Sequence, residues 1–167
     1  MTLCMQNESK IISLTDNFID GFAVLMDEYR MFYGKQSNVK ESRRYVSQLL
    51  NNDSVFFLLA ISADEKPVGF CTLFQSFSSV QAKKILILND LYVHKDYRRC
   101  GQGNQLLDAA IALAKKHKIN FLKLETAKDN VAAQSVYEKH GWKRSGFLSY
   151  GIDVEKSSMA AHDIEFD

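Results

Sequence analysis

The stretch DLYVHKDYRRCGQGN, from Asp90 to Asn104, decides the fold of this 167-residue chain. It joins the end of a strongly apolar segment to a basic loop and then to two glycines, Gly101 and Gly103, that open an amphipathic segment. The first turn of a helix leaves backbone N–H groups unpaired, and the helix dipole favours an anion there. Glycines let such an anion approach the backbone closely, and Arg98 and Arg99 add positive charge. The stretch therefore predicts a strand, a loop that cradles a diphosphate, and a helix.

The glycine spacing differs from that of two well-known phosphate-binding motifs. The pattern G-x-x-x-x-G-K-[ST] is absent, and G-x-G-x-x-G fails because Leu106 stands where its third glycine would be. What remains is R-x-x-G-x-G, carried by Arg98, Gly101 and Gly103. Taken alone, this pattern also fits an ordinary turn between a strand and a helix.

Hydrophobic periodicity divides the rest of the chain into strands and helices. Strands are predicted over residues 10–14, 55–61, 68–74, 84–93, 119–125 and 147–154. Helices are predicted from Asp16 to a stop at Gly34, and over residues 40–50, 103–118 and 130–140. The run Ile85-Leu86-Ile87-Leu88 is typical of a central strand that is buried on both faces. Strands that precede and alternate with helices indicate one α/β domain with a mixed sheet.

Composition excludes several classes of protein. With 21 Lys and Arg against 20 Asp and Glu, the net charge of +1 is too small for a protein whose main partner is nucleic acid. The longest apolar run, Val55 to Ile61, is far shorter than the ~20 residues of a membrane-spanning helix, and residues 1–10 lack a signal-peptide core. Three cysteines without C-x-x-C spacing predict a reduced, cytoplasmic protein. The four histidines lack the spacing of metal ligands, so no metal site is predicted.

A second informative stretch runs from Leu122 to Trp142, LKLETAKDNVAAQSVYEKHGW. Within it, Asn130, Ala133 and Tyr137 are spaced to share one face of the helix predicted over 130–140. The small Ala133 between a polar residue and a tyrosine leaves room for a ligand along that face, although Tyr137 could also be a core residue with its hydroxyl at the rim. The order strand, R-x-x-G-x-G, helix, strand, N-x-x-A-x-x-x-Y-E-K-x-G-W resembles the GNAT superfamily of N-acetyltransferases. The resemblance is strong from Leu86 to Trp142 and weaker elsewhere.

The resemblance implies a fold and a cofactor. The fold is a single-domain GNAT fold over residues 1–155, followed by a polar C-terminal tail over 156–167. Its mixed, mostly antiparallel sheet has splayed central parallel strands flanked by helices. The implied cofactor is acetyl-CoA, whose pantetheine arm would lie along residues 91–93 and whose diphosphate would lie on residues 98–104. The cofactor-binding residues implied in this way are Leu91, Tyr92, Val93, Arg98, Arg99, Cys100, Gly101, Gln102, Gly103, Asn104, Asn130, Ala132, Ala133 and Tyr137.

The resemblance also implies an N-acetyltransferase that moves an acetyl group from acetyl-CoA to a primary amine by direct attack. Tyr137 matches the family's tyrosine that protonates the departing thiolate. An amine with a pKa of ~10.4 must first lose a proton, so a base is required. Glu125, placed like the proposed base of the ribosomal-protein N-terminal acetyltransferases, is one candidate. Asp90 is another, and a chain of waters could replace both.

The acceptor amine is less well defined by the sequence. In this family the end of the first helix walls the acceptor pocket, which makes Tyr29, Phe32 and Tyr33 the candidate substrate-binding residues. We expect a small-molecule amine such as an amino acid or a polyamine, although Asn89 stands where polyamine acetyltransferases carry an acidic residue. The acidic residues near the expected pocket (Asp27, Glu28, Asp90 and Glu125) favour a cationic acceptor.

Two other functions stay open. A protein or peptide amine would make the chain a protein acetyltransferase, and a chain without catalysis would be an acyl-CoA-binding module. The presence of Tyr137 argues against a module that only binds, because binding requires no proton donor. A homodimer stays open as the assembly, and no nucleic acid, membrane or metal partner is expected.

Overall fold

A computed structural model describes residues 9–154 of the chain. Its strands are β1 (Ser9–Ser13), β2 (Val55–Ser62), β3 (Pro67–Ser78), β4 (Lys83–Val93) and β5 (Leu122–Leu124). Its helices are α1 (Ile19–Phe32), α2 (Val39–Leu49), α3 (Gln102–Lys116) and α4 (Val131–Lys139), with short 3₁₀ turns at Asp16–Phe18 and Lys95–Tyr97. The predicted α/β class is confirmed.

The strands form one sheet in the order β1-β2-β3-β4-β5. The first three pairings are antiparallel, and only β4 and β5 run parallel among the described strands. The connection from β4 to β5 passes through α3, as a parallel pair requires, because its strands cannot be joined by a tight turn. The predicted mixed, mostly antiparallel sheet is confirmed, and its parallel pair is the one that flanks the glycine-rich loop.

Helices cover both faces of the sheet. On one face, α3 buries Leu106, Leu107 and Ala110 against apolar residues of β2, β3 and β4. On the other, α1 and α2 bury Phe22 and Val46 against a second cluster from β2 and β3. Since β2 and the first half of β3 are covered on both sides, their side chains are buried almost continuously rather than alternately.

Helix ends fall at the residues that the sequence indicates. Gly34 and Gly141 follow α1 and α4 with φ angles of +78° and +86°, the left-handed backbone that favours glycine at a helix stop. Asn130 caps α4, because its side-chain oxygen accepts the backbone N–H of Ala133 at 3.3 Å.

Two predicted strands differ from the structure. The strand over 119–125 is reduced to Leu122–Leu124, since Ile119 instead packs under α3. The strand over 147–154 is wrong: that segment has no regular strand, and Phe147, Tyr150 and Val154 are 91%, 88% and 78% exposed. Its alternating pattern is real, but a strand needs an edge to pair with, and β5 pairs over only three residues. The predicted domain end at residue 155 and the tail over 156–167 lie outside the described residues.

Candidate active site

A slot opens where β4 and β5 diverge. Their parallel pairing ends at Leu88 and Leu124, yet β4 continues for five more residues, to Val93. Over that extension β4 stays paired with β3 on one side, where Leu91 faces Cys71. On the other side residues 89–93 have no partner strand among residues 9–154. The backbone of Leu91, Tyr92 and Val93 therefore offers an open edge to an extended ligand, as an added strand would use it.

A β-bulge at Asn89 sets which side chains face the slot. Thr72 of β3 pairs with Asp90, whereas the next residue, Leu73, pairs with Leu88, so Asn89 is an extra residue in β4. Because side chains alternate along a strand, one extra residue moves all later side chains to the opposite face.

The packing of β4 shows the consequence of the bulge. Before it, the even-numbered Leu86 and Leu88 pack on the α3 face; after it, the odd-numbered Leu91 and Val93 do so. The bulge thereby directs Asp90 and Tyr92 toward α1 and α2.

The glycine-rich loop forms the open N-terminus of α3. Gly101 caps the helix with a φ of +96°, and its carbonyl accepts the backbone N–H of Gln105 at 3.0 Å. A Cβ at either Gly101 or Gly103 would meet no heavy atom within 4 Å, so space lies directly beside these backbone amides. A 15-residue helix whose first turn faces open space is suited to an anion. This geometry fits the diphosphate of a coenzyme.

Two arginines belong to this loop. Arg98 donates from Nε to the carbonyl of Val93 at 2.9 Å and lies over the ring of Tyr92, 5.5 Å from its centroid. It therefore joins the loop to the end of β4. Arg99 takes a positive φ of 64°, which turns the chain toward α3.

Helix α4 packs Val136 and Tyr137 against the apolar cluster that also includes Leu91 of β4 and Leu124 of β5. The cap at Asn130 occupies only the side-chain carbonyl, which leaves the NH₂ group of the same amide as a donor for a ligand. Ala133 is half-buried one turn further on, and Ala132 is exposed. Asn130, Ala133 and Tyr137 therefore lie along one face of α4, as their spacing predicts.

Tyr137 carries a phenol that stays protonated. Its ring is half-buried and packs against Trp142 at 6.2 Å between centroids. Burial, with the neighbouring Cys71 and Tyr33, raises the pKa of Tyr137 to about 12. At neutral pH this hydroxyl can therefore donate a proton or a hydrogen bond.

The two candidate bases have different surroundings. Asp90 is only 8% exposed, and burial raises the pKa of its carboxyl, although the Asn89 amide, which donates to it at 3.1 Å, and the hydroxyls of Tyr29 and Thr72 partly offset this. Glu125 is exposed and accepts a hydrogen bond from Ser149 at 3.0 Å. A raised pKa suits a carboxylate to accept a proton near neutral pH, which favours Asp90.

Aromatic residues at the end of α1 border the same space. The rings of Tyr29 and Tyr33 meet at 5.1 Å, and Tyr29 also contacts Tyr92 at 5.9 Å. Burial and the nearby Asp90 carboxylate raise the pKa of the Tyr29 phenol. Phe32 contacts Tyr33 and is 59% exposed, which makes it the most exposed of the three candidate substrate-binding residues.

The structure adds residues that the sequence does not single out. Tyr45 of α2 lies close enough to Asp90 for the carboxylate charge to help raise the pKa of its phenol, after burial. The hydroxyl of Thr72 is buried on the residue that pairs with Asp90; it has no hydrogen-bond partner at the usual distance among residues 9–154, but it is near enough to help stabilise the Asp90 charge. The polar pair Asn89-Asp90 inside an apolar strand was the available signal for the bulge.

Asp27, which the sequence predicts near the acceptor pocket, lies against the connection between α1 and α2. Instead of facing the pocket, its buried carboxyl accepts the Ser37 hydroxyl and the Asn38 backbone N–H, both at 2.7 Å. Burial would raise the pKa of this carboxyl, but these hydrogen bonds and the charge of Arg30 hold it below its usual range. Asp27 therefore fixes the connection between α1 and α2.

Membrane-spanning helices and metal clusters are both missing from residues 9–154. No helix there has the length and apolar character needed to cross a bilayer. No group of three or more His, Cys, Asp or Glu side chains in that part of the chain is placed to hold a metal ion.

Comparisons with known proteins agree with this geometry. The sequence pattern of the acetyltransferase (GNAT) family matches residues 22–142. The uncharacterized N-acetyltransferase YhfO of Bacillus subtilis is 36% identical over 133 residues, which are 79% of this chain and 89% of that protein. The crystal structure of a probable acetyltransferase superposes with a TM-score of 0.81 at 32% identity and covers 89% of this chain and 99% of its own.

A more distant solved structure shares the fold alone. AAC(6')-Iy, in complex with the bisubstrate analogue CoA-S-monomethyl-acetylneamine, is 15% identical with a TM-score of 0.75. The match covers 87% of this chain and 98% of that one.

Proposed function

The chain belongs to the acetyltransferase (GNAT) family, and from this premise we propose that it acetylates the primary amine of a small molecule with acetyl-CoA. The observation that carries the proposal is the slot between β4 and β5: the buried Asp90 lies on the unpaired part of β4, and Tyr137 packs against the apolar cluster that includes Leu91 and Leu124. The amine would attack the acetyl group directly, without an acetyl-enzyme intermediate.

The residues around the slot fit acetyl-CoA, which supplies a thioester-activated acetyl group when it is bound. The backbone of Leu91, Tyr92 and Val93 would hold the pantetheine arm through its open edge. The N-terminus of α3, from Gly101 onward, would hold the diphosphate, and the Asn130 amide would hold the arm from the α4 side. The loop, the edge of β4 and Asn130 would therefore bind the cofactor, and Tyr137 and Asp90 would take part in the chemistry.

Asp90 and Tyr137 would each carry out one of the two proton transfers that the reaction requires. An ammonium group of ordinary pKa must lose a proton before its nitrogen can react, and Asp90 would accept that proton. Tyr137, whose pKa of about 12 keeps it protonated, would donate at the position of the departing sulfur. Glu125, linked to Ser149 at the surface, is the alternative base.

The enclosure of Asp90 supports a small acceptor. A carboxyl that is 8% exposed, bordered by Tyr29 and Tyr45, admits a slender primary amine more readily than a folded surface. A flexible peptide amine is the second candidate, because Phe32 and Tyr33 at the rim are 59% and 51% exposed and could hold an extended chain.

The test measures thiol release from acetyl-CoA with three sets of acceptors: amines, amino acids, and peptides with a free N-terminus or lysine. We expect turnover with at least one small amine and a lower kcat/KM for peptides. Turnover with peptides only would establish the second candidate. Binding of acetyl-CoA without turnover on any acceptor would instead support a non-catalytic acyl-CoA-binding module.

A further inference from the structure

Asp90 is a buried carboxylate whose charge has no counterpart in the described part of the protein. Among residues 9–154 no Lys, Arg or His nitrogen forms an ion pair with it. The groups that stabilise its charge are a neutral amide on Asn89 and the neutral hydroxyls of Tyr29 and Thr72. A buried carboxylate without a cation is unfavourable, so this position is suited to a positive charge brought by a ligand.

Two cationic side chains of the neighbouring elements, Arg30 and Arg98, are engaged elsewhere. Arg30 of α1 pairs with Glu41 and Asp27 and donates to the carbonyl of Asn38. Arg98 donates to the Val93 carbonyl. Asp90 instead has the hydroxyl of Tyr29 and the buried hydroxyl of Thr72 beside it, and the phenol of Tyr45 is near enough for the Asp90 charge to raise its pKa. Such a site offers an anion, neutral hydroxyls and aromatic surface, and among residues 9–154 no Lys, Arg or His side chain is found to pair with Asp90 or to shift its pKa.

We propose that the acceptor is an amine without a carboxylate on the carbon that bears it, so that free α-amino acids are excluded by charge. This inference rests on the proposed function and narrows it. The ammonium group of the acceptor would pair with Asp90 before it is deprotonated, and its carbon skeleton would contact Tyr29 and Tyr45. An α-carboxylate would lie within a few bonds of that ammonium and would be repelled by Asp90 in a partly desolvated site.

Three probes of one skeleton test the proposal: phenethylamine, phenylalanine amide and phenylalanine. The amide has nearly the size of the amino acid but lacks its negative charge, so it separates charge from bulk. Calorimetry would measure their binding to the protein saturated with coenzyme A, and agmatine, arginine amide and arginine would form a second set. We expect the amine and the amide of at least one set to bind at least about tenfold more tightly than the amino acid.

The outcomes separate this inference from the proposed function. Equal or tighter binding of the amino acid in both sets overturns the inference, as does the absence of binding by both amines and both amides at millimolar concentration. Neither result depends on turnover. Failure of the proposed function would appear separately, as acetyl-CoA binding without thiol release.

Two matched variants test whether the charge of Asp90 causes the rejection of the α-carboxylate. Asp90→Asn keeps the size of the side chain and removes its charge, so we expect the preference for the amide over the amino acid to disappear. The control Asp20→Asn removes an exposed carboxylate that pairs with Arg43, and we expect it to keep the preference. A preference that survives in a folded Asp90→Asn protein overturns the assignment. If that variant does not fold, the three probes on the unmodified protein still decide whether the α-carboxylate is rejected.

Discussion

Tyr137 is the side chain on which the proposed chemistry depends most directly. Its hydroxyl is held protonated by burial, and it lies on the helix face that also carries Asn130 and Ala133. Removing only the hydroxyl in Tyr137→Phe should therefore leave the fold and the coenzyme site intact. We expect kcat to fall by about 10²-fold or more, the usual contribution of a positioned general acid, while the Kd of coenzyme A stays within about twofold.

The control for this prediction is Tyr150→Phe, because Tyr150 is a tyrosine that is 88% exposed. Steady-state thiol release and calorimetry on both variants provide the comparison. An unchanged kcat in Tyr137→Phe would show that the sulfur leaves without help from this phenol.

The burial that suits Asp90 to its proposed role as a base should also lower the stability of the folded protein. Its pKa is raised in the folded protein, so the folded state binds the proton more tightly than the unfolded state, where the pKa is about 3.9. The free energy of unfolding then falls as pH rises from about 3.9 through the folded-state pKa. An asparagine side chain does not titrate, so Asp90→Asn should gain stability relative to the original protein over that range.

Thermal unfolding of both proteins at about pH 4 and about pH 8 would measure this effect. The variant should have the higher Tm at the higher pH, and the difference should shrink in acid. A variant that is less stable at about pH 8 would show that the Asp90 charge is satisfied within the protein.

At the scale of elements, the N-terminus of α3 should bind the coenzyme through its backbone. Gly103 faces open space in the protein, so Gly103→Val should disturb folding little. The same side chain would occupy the volume assigned to the diphosphate. We expect the Kd of coenzyme A to rise at least about tenfold, with a smaller rise for Gly103→Ala and none for Gly151→Val outside the loop. Calorimetry that shows unchanged affinity in a folded Gly103→Val protein would place the diphosphate elsewhere.

The connection between α1 and α2 depends on the buried carboxyl of Asp27. Its pKa is lowered in the folded state, so its contribution to stability is present above about pH 3.9 and is lost as pH falls through the folded-state pKa. Asp27→Asn should lower the free energy of unfolding at neutral pH by about 1–3 kcal/mol, because charge-assisted hydrogen bonds are weakened. Urea denaturation would measure this, with the exposed Asp20→Asn as control. Equal stability of the two variants would contradict a structural role for Asp27.

The sequence predicts helices better than it predicts the sheet. Stop residues such as Gly34 and the cap at Asn130 act locally, so a short window of sequence contains the required information. Strands depend on a partner edge that is distant in the chain. The alternation over 147–154 therefore predicted a strand that is not formed, and nothing local revealed that the β4–β5 pairing stops at Leu88. The bulge at Asn89 is similar, because the polar pair Asn89-Asp90 hints at an irregularity but only the register with β3 locates the extra residue.

The sequence predicts the cofactor side of the candidate site better than the side around Asp90. The glycine loop and the spacing of Asn130 and Tyr137 could be recognised because each is a local pattern on a helix. Asp90 and Glu125 are equal candidates for the base in the sequence, and only the structure shows that Asp90 is buried. Tyr45 and Thr72 were missed, because they reach the site through the packing of α2 and the pairing of β3.

At the scale of the whole molecule, we expect the local stability of the chain to differ between its cores and its exposed segments. Strands β2 and β3 are covered by helices on both faces, so their amides should exchange hydrogen slowly. Residues 147–154 are exposed and form no strand, so we expect their amides to exchange rapidly. Hydrogen-exchange mass spectrometry tests this. Slow exchange over 147–154, together with a dimer mass in light scattering, would instead indicate that this segment pairs with a second copy.

The central claim is that the open edge of β4 and the N-terminus of α3 hold one coenzyme and direct its sulfur toward Tyr137. A crystal structure of the protein with coenzyme A tests it most directly. We expect the diphosphate within hydrogen-bonding distance of the backbone amides of residues 101–104, the pantetheine arm along residues 91–93, and the sulfur within reach of the Tyr137 hydroxyl. A coenzyme bound away from the slot, or a phenol too distant from the sulfur to donate to it, would contradict the claim.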